Sequence, residues 1–312
     1  MPQLKFKICQ MSYKMKNCII NNFFIIAAIV FLAAGSCRAK SDTNSADPHY
    51  AVALIYTPVL NTSDFESVFG GSSGTRVKLD NKGLIREMEF IALPNTVFEI
   101  LETVPKDGYS VFRIKTEDYP YNSSDLYIDS RFVKTFSSEP EGRVKKMPDR
   151  NEIISKLNSL EGYQYMWGGN CGDGIEQLLE FYKPSADISD NTKSLWMLKG
   201  VDCSGLIYES TNGSTPRNTS SLINIGEGLD IAGKNSEQIA EMLQPLDLIV
   251  WSGHVIIVLD ESTVIESTPS EGVHKSNLNA RLKSVIKERT PVNDWGSSNG
   301  KKFVVRRWIE SN

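Results

Sequence analysis

Three apolar runs set close together constrain this chain most. Residues 246–251, 253–259 and 263–267 are rich in Val, Ile and Leu, with only one and three residues between them. Each reads as a strand, and the last two as a hairpin turning at Asp260-Glu261-Ser262. His254 opens the middle run and Glu266 lies near the end of the last. With an odd-length connection His254 stands directly opposite Glu266 on one face of the sheet; an even-length connection puts Ser267 there instead. A carboxylate in that place holds an imidazole in one tautomer and stabilises its cation.

An imidazole held in this way is a general base, and residues 201–209 offer it a partner. That stretch reads as a loop turning into a short helix with Cys203 at its start. Free N–H groups and the positive end of the dipole there favour a thiolate over a thiol. Cys203, His254 and Glu266 then make a nucleophile–base–orienter set. His274 competes as the base, but the stretch 270–275 is polar and lacks strand periodicity. His254, in an apolar run beside Gly253, is preferred. Upstream, Gly168 and Gly169 permit close backbone approach. Tyr165 and Trp167 alternate, so one is expected to face a cleft and the other to pack in the core. Cys171 reads as a small apolar filler, and 175–182 as a helical patch. In the turn 215–219, Arg217 suits a structural ion pair and a substrate contact equally.

The 312 residues have room for about two domains. Short strands are expected at 51–56, 95–101, 109–114 and 126–128, with Gly, Asn, Asp and Pro between them and no helix signals. That pattern over 50–137 suggests a small β-barrel. Its order of strand, Lys106-Asp107-Gly108 turn, strand, polar loop and short strand is similar to a bacterial SH3-like domain. Residues 137–148 are linker-like, and Asp149 with Glu152 predicts a capping box. Ile153, Ile154, Leu157 and Leu160 then recur at helical spacing, opening a second domain over 150–312. Residues 303–309 read as a closing strand, and 275–312 carry no functional signal.

Residues 1–37 have the layout of a secretory signal: Lys5, Lys7, Lys14 and Lys16, an apolar stretch over 19–34, then small residues before Cys37. The ending resembles a bacterial lipoprotein signal, in which Cys37 becomes the lipidated first residue. Plain cleavage near Ser36 or Ala39 and a permanent single-span anchor are the alternatives. All three place the remaining chain outside the cytoplasm, periplasmic or at the cell surface, with the membrane as a partner through the anchor. Residues 38–49 form a polar tether. Net charge is −4 with no long basic run beyond the N-terminus, which argues against nucleic acid. Of five cysteines only Cys171 and Cys203 lie beyond the export segment, too few for a disulfide framework. With three histidines and no CxxC pair, neither a metal site nor a metal cofactor is expected.

Tyr165-Met166-Trp167-Gly168-Gly169, Asp202-Cys203-Ser204-Gly205, Pro245-Leu246-Asp247-Leu248, Gly253-His254-Val255 and a polar residue twelve positions on together resemble the NlpC/P60 family of bacterial cell-wall cysteine peptidases. The resemblance implies an α+β, papain-like fold with the cysteine helix packed on an antiparallel sheet. It implies cofactor-free hydrolysis of peptidoglycan stem peptides, usually between γ-D-glutamate and the diamino acid. Cys203 would attack the scissile carbonyl, His254 would shuttle the proton, and Glu266 would orient His254. The Cys203 amide and the Tyr165 hydroxyl would donate to the oxyanion. Members with an SH3-like domain in front hold the free amine of the stem's L-alanine beside the nucleophile. Asp202 and Ser204 match those positions, and Tyr119, in the loop Glu117-Asp118-Tyr119-Pro120, matches the tyrosine that closes the pocket. Such a pocket selects short murein peptides with a free N-terminus over intact wall. The chain departs from the pattern twice: Glu266 stands where His, Asn or Gln is commoner, and the segment 170–200 is long, suited to walling the cleft or to meeting a partner. A non-catalytic peptidoglycan-binding lipoprotein and a papain-like amidase or acyltransferase on another substrate are the competing readings.

Overall fold

Alternation of apolar and polar residues builds the first sheet. The computed structural model describes residues 48–121, 124–297 and 299–309; the export segment, Cys37 and most of the tether lie outside them. Seven antiparallel strands, β1 (Tyr50–Ala53), β2 (Thr57–Leu60), β3 (Met88–Ala92), β4 (Val97–Pro105), β5 (Ser110–Lys115), β6 (Leu126–Asp129) and β7 (Val133–Phe136), lie in the order β3-β2-β6-β5-β4-β1-β7. The expected strands at 95–101, 109–114 and 126–128 are present. Of the expected run 51–56 only 51–53 lies in a strand, β1, and β2, β3 and β7 are additions to the expected set. The stretch also contains a one-turn helix, Phe65–Val68, capped by Asp64, against the expectation of no helix.

The C-terminal half opens with α1 (Arg150–Ser159). Asp149 and Glu152 close the capping box, and Ile153 and Leu157 are buried. α2 (Cys203–Ser210) follows, and then the strands β8 (Leu248–Trp251), β9 (His254–Val258), β10 (Thr263–Thr268) and β11 (Gly272–Asn277) form a meander. α3 (Leu278–Glu288) precedes β12 (Lys302–Arg307), which pairs with β8. β8 and β9 are apolar nearly throughout because both faces are covered. On one side Leu248, Val250, Val255 and Ile257 pack with Ile153, Leu157 and Leu206. On the other Ile249, Ile256, Val258 and Val264 pack with Leu278, Leu282 and Val285. The sheet is thus the middle layer of three, with α1 and α2 above it and α3 below.

The long segment 170–200 is mortar between the two halves. Ile175, Leu178, Tyr182, Trp196 and Leu198 share one apolar cluster with Phe65, Phe69, Phe90 and Phe132 of the first half. Tyr182 donates to the buried Asp129 at 2.5 Å, and Arg131 donates to the Phe181 carbonyl. Among the described residues no helix is long and apolar enough to cross a membrane.

Candidate active site

Cys203 heads α2, and Asp202 caps it by accepting the Gly205 N–H at 2.6 Å. The helix start lies so close to the preceding loop that a Cβ on Gly205 would stand 1.9 Å from the Gly169 carbonyl oxygen, so only glycine fits there. Asp202 takes five bonds: from Gly205 N–H, Gly168 N–H, Ser204 Oγ and two guanidinium nitrogens of Arg217. Arg217, fully buried, spends its remaining donors on Asn170, Gly169 and Ser204. Of the two uses open to Arg217, the structure shows the ion pair. Asn170 extends the network to the first half through both backbone groups of Ile91.

The Cys203 sulfur lies 3.9 Å from the Gly253 carbonyl oxygen, one residue before His254. Burial pushes its thiol up to about 12, assisted by the Asp202 carboxylate and opposed by N–H groups of Val255 and Ser204 and by Arg217. Burial thus works against the thiolate that the start of the eight-residue helix favours.

His254 begins β9 after the two-residue turn Ser252-Gly253, where Gly253 takes φ +98°. Its Nε2 lies 2.6 Å from Glu266 Oε2. The pairing Ile257↔Ile265 and Val258↔Val264 puts Glu266 opposite Ile256, so His254 and Glu266 are diagonal neighbours on one face, not directly opposed. The turn is odd-length and centred on Glu261 as expected, but that centre sets Thr268 opposite His254, and the long side chains span the diagonal to Glu266. Ser267 faces away and donates to the Val201 carbonyl at 2.7 Å. Burial alone would raise Glu266; hydrogen bonds from Arg281 and His254 outweigh it and hold the carboxyl at about 2. Arg281 reaches it with a fork of 2.5 and 2.9 Å. Residues 272–277 form a strand, contrary to the expectation for that polar stretch, and its register sets His274 directly opposite Glu266. His274 Nε2 is 3.2 Å from Glu271 and 4.0 Å from Glu266.

The pleat turns His254, Glu266 and Trp251 toward α3, and Val255 and Ile257 toward α2. The exposed end of the strand, with Ser252 and Gly253 facing solvent, carries the half-buried imidazole of His254, and the Cys203 thiol lies against that end at the Gly253 carbonyl oxygen. No hydrogen bond joins them in this resting arrangement, and His254 Nδ1 makes none among the described residues. Catalytic hydrogen bonds are often long until substrate binds. Alkylation of Cys203 by iodoacetamide at pH 7, read by peptide mapping, is expected to slow about a hundredfold in His254→Ala. Equal rates would put the imidazole out of the sulfur's reach and remove the nucleophile–base pair.

Tyr165 is half-buried and bridges Val201; burial, Asp202 and Cys203 push its hydroxyl up. Met166 is the residue of that stretch that enters the core, while Trp167, 36% exposed, lies under the Arg86 guanidinium at 4.2 Å. The expected division between Tyr165 and Trp167 fails because the chain leaves the bridge at Tyr165 for a turn at Trp167, and neither side chain is buried in the core. Tyr119 stacks on Phe90 at 4.5 Å, donates to Glu89 at 2.9 Å and accepts from Asn218 at 3.1 Å. Tyr121 donates to Ser221 at 2.9 Å. In the same turn Thr219 accepts the Gly253 N–H at 3.0 Å, which connects the tyrosine loop to the backbone beside His254. Glu89 and Arg281 carry no signal in the sequence, and Asn218 lies in the turn 215–219; Glu89 sits in β3, itself outside the expected strands. Among the described residues no cluster of His, Cys, Asp and Glu is arranged to hold a metal.

No protein-family model matches the chain, and no curated protein matches its sequence. Solved structures do show similarity. An NlpC/P60 family protein from Bacillus cereus ATCC 10987 aligns at TM-score 0.33 and 16% identity, over 84% of this chain and 64% of that one. The NlpC/p60 domain of the peptidoglycan hydrolase SagA aligns at 0.25 and 20%, over 43% and 92%. A Staphylococcus aureus Mu50 protein described as similar to a lipoprotein of the NLP/P60 family aligns at 0.27 and 19%, over 46% and 42%. This chain thus spans just under two thirds of the first structure's length. All three TM-scores are below 0.5, so the chemistry rests on the residues of the site itself.

Proposed function

We propose that the chain is an exported cysteine peptidase of NlpC/P60 type, with a papain-like catalytic half behind an SH3-like sheet. Its proposed bond is γ-D-glutamyl–diamino acid in peptidoglycan stem peptides that carry a free N-terminal L-alanine. The observation that carries this is the sulfur of a helix-heading cysteine lying against the backbone that bears a carboxylate-oriented histidine. Cys203 Sγ attacks the scissile carbonyl as His254 takes its proton, and the same proton goes to the departing amine. Glu266, kept ionised, stabilises the imidazolium between those transfers. The Cys203 N–H, left without an intrahelical acceptor at the helix start, and the Tyr165 hydroxyl serve the oxyanion. Water then cleaves the thioester.

Asp202 and Ser204 are engaged with Arg217, so in this proposal they set the floor of the amine pocket while Tyr119 and Glu89 form its wall. Incubation of the purified protein with L-Ala-γ-D-Glu-diamino acid tripeptide, its N-acetylated form and intact wall, read by mass spectrometry, tests the assignment. Release of the diamino acid from the free-amine peptide alone is expected; cleavage of none of the three sinks it. Tyr119→Phe removes one hydrogen-bonding hydroxyl and is expected to raise KM about tenfold with kcat little changed. An unchanged KM would move the amine pocket elsewhere.

A further inference from the structure

His254 is gripped twice, and both grips lead to the same helix. Glu266 holds its Nε2 edge, and Trp251, its partner across the hairpin, lies against its ring with centroids 5.1 Å apart. Behind Glu266 stands Arg281, with its two-pronged contact. Behind Trp251 stands Arg289, whose guanidinium is 4.5 Å from the indole. Leu278, Leu282 and Val285 anchor α3 on the sheet, and Arg281 and Arg289 stand four residues either side of Val285. Residues at that spacing line one ridge of a helix, so the seating that buries Val285 also delivers Arg281 inward. Arg289 leaves the helix at its C-cap with extended backbone.

We propose that α3 is a brace for the imidazole: Arg281 positions Glu266, and Arg289 positions Trp251. This rests on His254 being the base of the proposed reaction. It gives a reason for a carboxylate at position 266, because the fork of a guanidinium matches two carboxylate oxygens. The groups facing Glu266 are His254 from β9, His274 from β11 with Glu271 beside it, and Arg281 from α3 with Glu288 in its field. Arg281 is the strongest of the influences that keep the buried carboxyl ionised. Without it, burial prevails, the carboxyl rises, and acid protonates it sooner. The two arginines therefore differ in what their loss does: Arg281 acts through a titrating group and Arg289 through one that does not titrate.

The test is the pH dependence of kcat/KM on the tripeptide, run beside the pH dependence of Cys203 alkylation by iodoacetamide, which needs no substrate. In Arg281→Gln the acid limb of both profiles is expected to move upward by about one pH unit or more, with KM within about threefold of the parent. In Arg289→Gln the rates fall at every pH and the limb stays in place. Should Arg281→Gln fail to fold, Arg281→Lys keeps the charge and loses the fork; it is expected to slow alkylation with an unshifted limb. Superimposable alkylation profiles for parent and folded Arg281→Gln, or parental rates in Arg281→Lys, overturn the brace. A shifted alkylation profile in a protein that cleaves no peptide would keep the brace and remove the proposed substrate.

Discussion

Cys203→Ala is expected to lower release of the diamino acid by at least about 10⁴-fold while the protein still folds. The substitution removes one buried sulfur from a site that is 6% exposed, and the helix keeps its cap on Asp202. The loss in melting temperature should stay within roughly 4 °C. Cys171 cannot substitute for it. That thiol is buried, donates to the Gly174 carbonyl, and is pushed up to about 12 by burial and the nearby Glu209. Mass spectrometry of product and a thermal melt on the same sample decide the matter. Hydrolysis retained at more than about 1% of the parental rate would mean that another group attacks, and the peptidase mechanism would fall.

The second large effect is expected at Arg217→Met. Arg217 is 2% exposed, and all its donors end on Asp202, Ser204, Asn170 and Gly169. Removing the cation strands a carboxylate in the interior and leaves three further groups short of partners. Breaking one side of a buried pair typically costs about 3–5 kcal/mol. For a chain of this size that is a fall of roughly 6–20 °C in Tm. Adding Asp202→Asn should recover part of it, since the stranded charge goes with it while an amide can still cap α2. A melting temperature within about 2 °C of the parent for the single variant would show that the network does not hold α2 in place.

Local patterns are legible in this sequence and distant ones are not. The capping box at Asp149, the strands of the meander and the cysteine at a helix start all follow from spacing within a few residues. Spacing places His254 and Glu266 on the same face but gives the wrong directly opposed pair, because parity fixes the face while the turn's centre fixes the pair, and a centre on Glu261 sets Thr268 opposite His254. The burial of Cys203 is hidden, because it depends on residues dozens of positions away. Arg281 and Arg289 give no sign, as arginines on an amphipathic helix are ordinary until the sheet beneath is known. Glu89 is hidden for the same reason: only the fold brings β3 to the loop that carries Tyr119.

The hydrocarbon shared by segment 170–200 and the first sheet has a bearing on selectivity. Trp196, Leu198 and Tyr182 are knit into Phe65, Phe69 and Phe132, so the wall carrying Tyr119 is seated by side chains far from the cleft. A close-packed interior yields little. In the proposed pocket a peptide would meet a gauge cut at the moment of folding, not a jaw that closes on demand, and an oversized chain end would be refused by shape before any bond is tested.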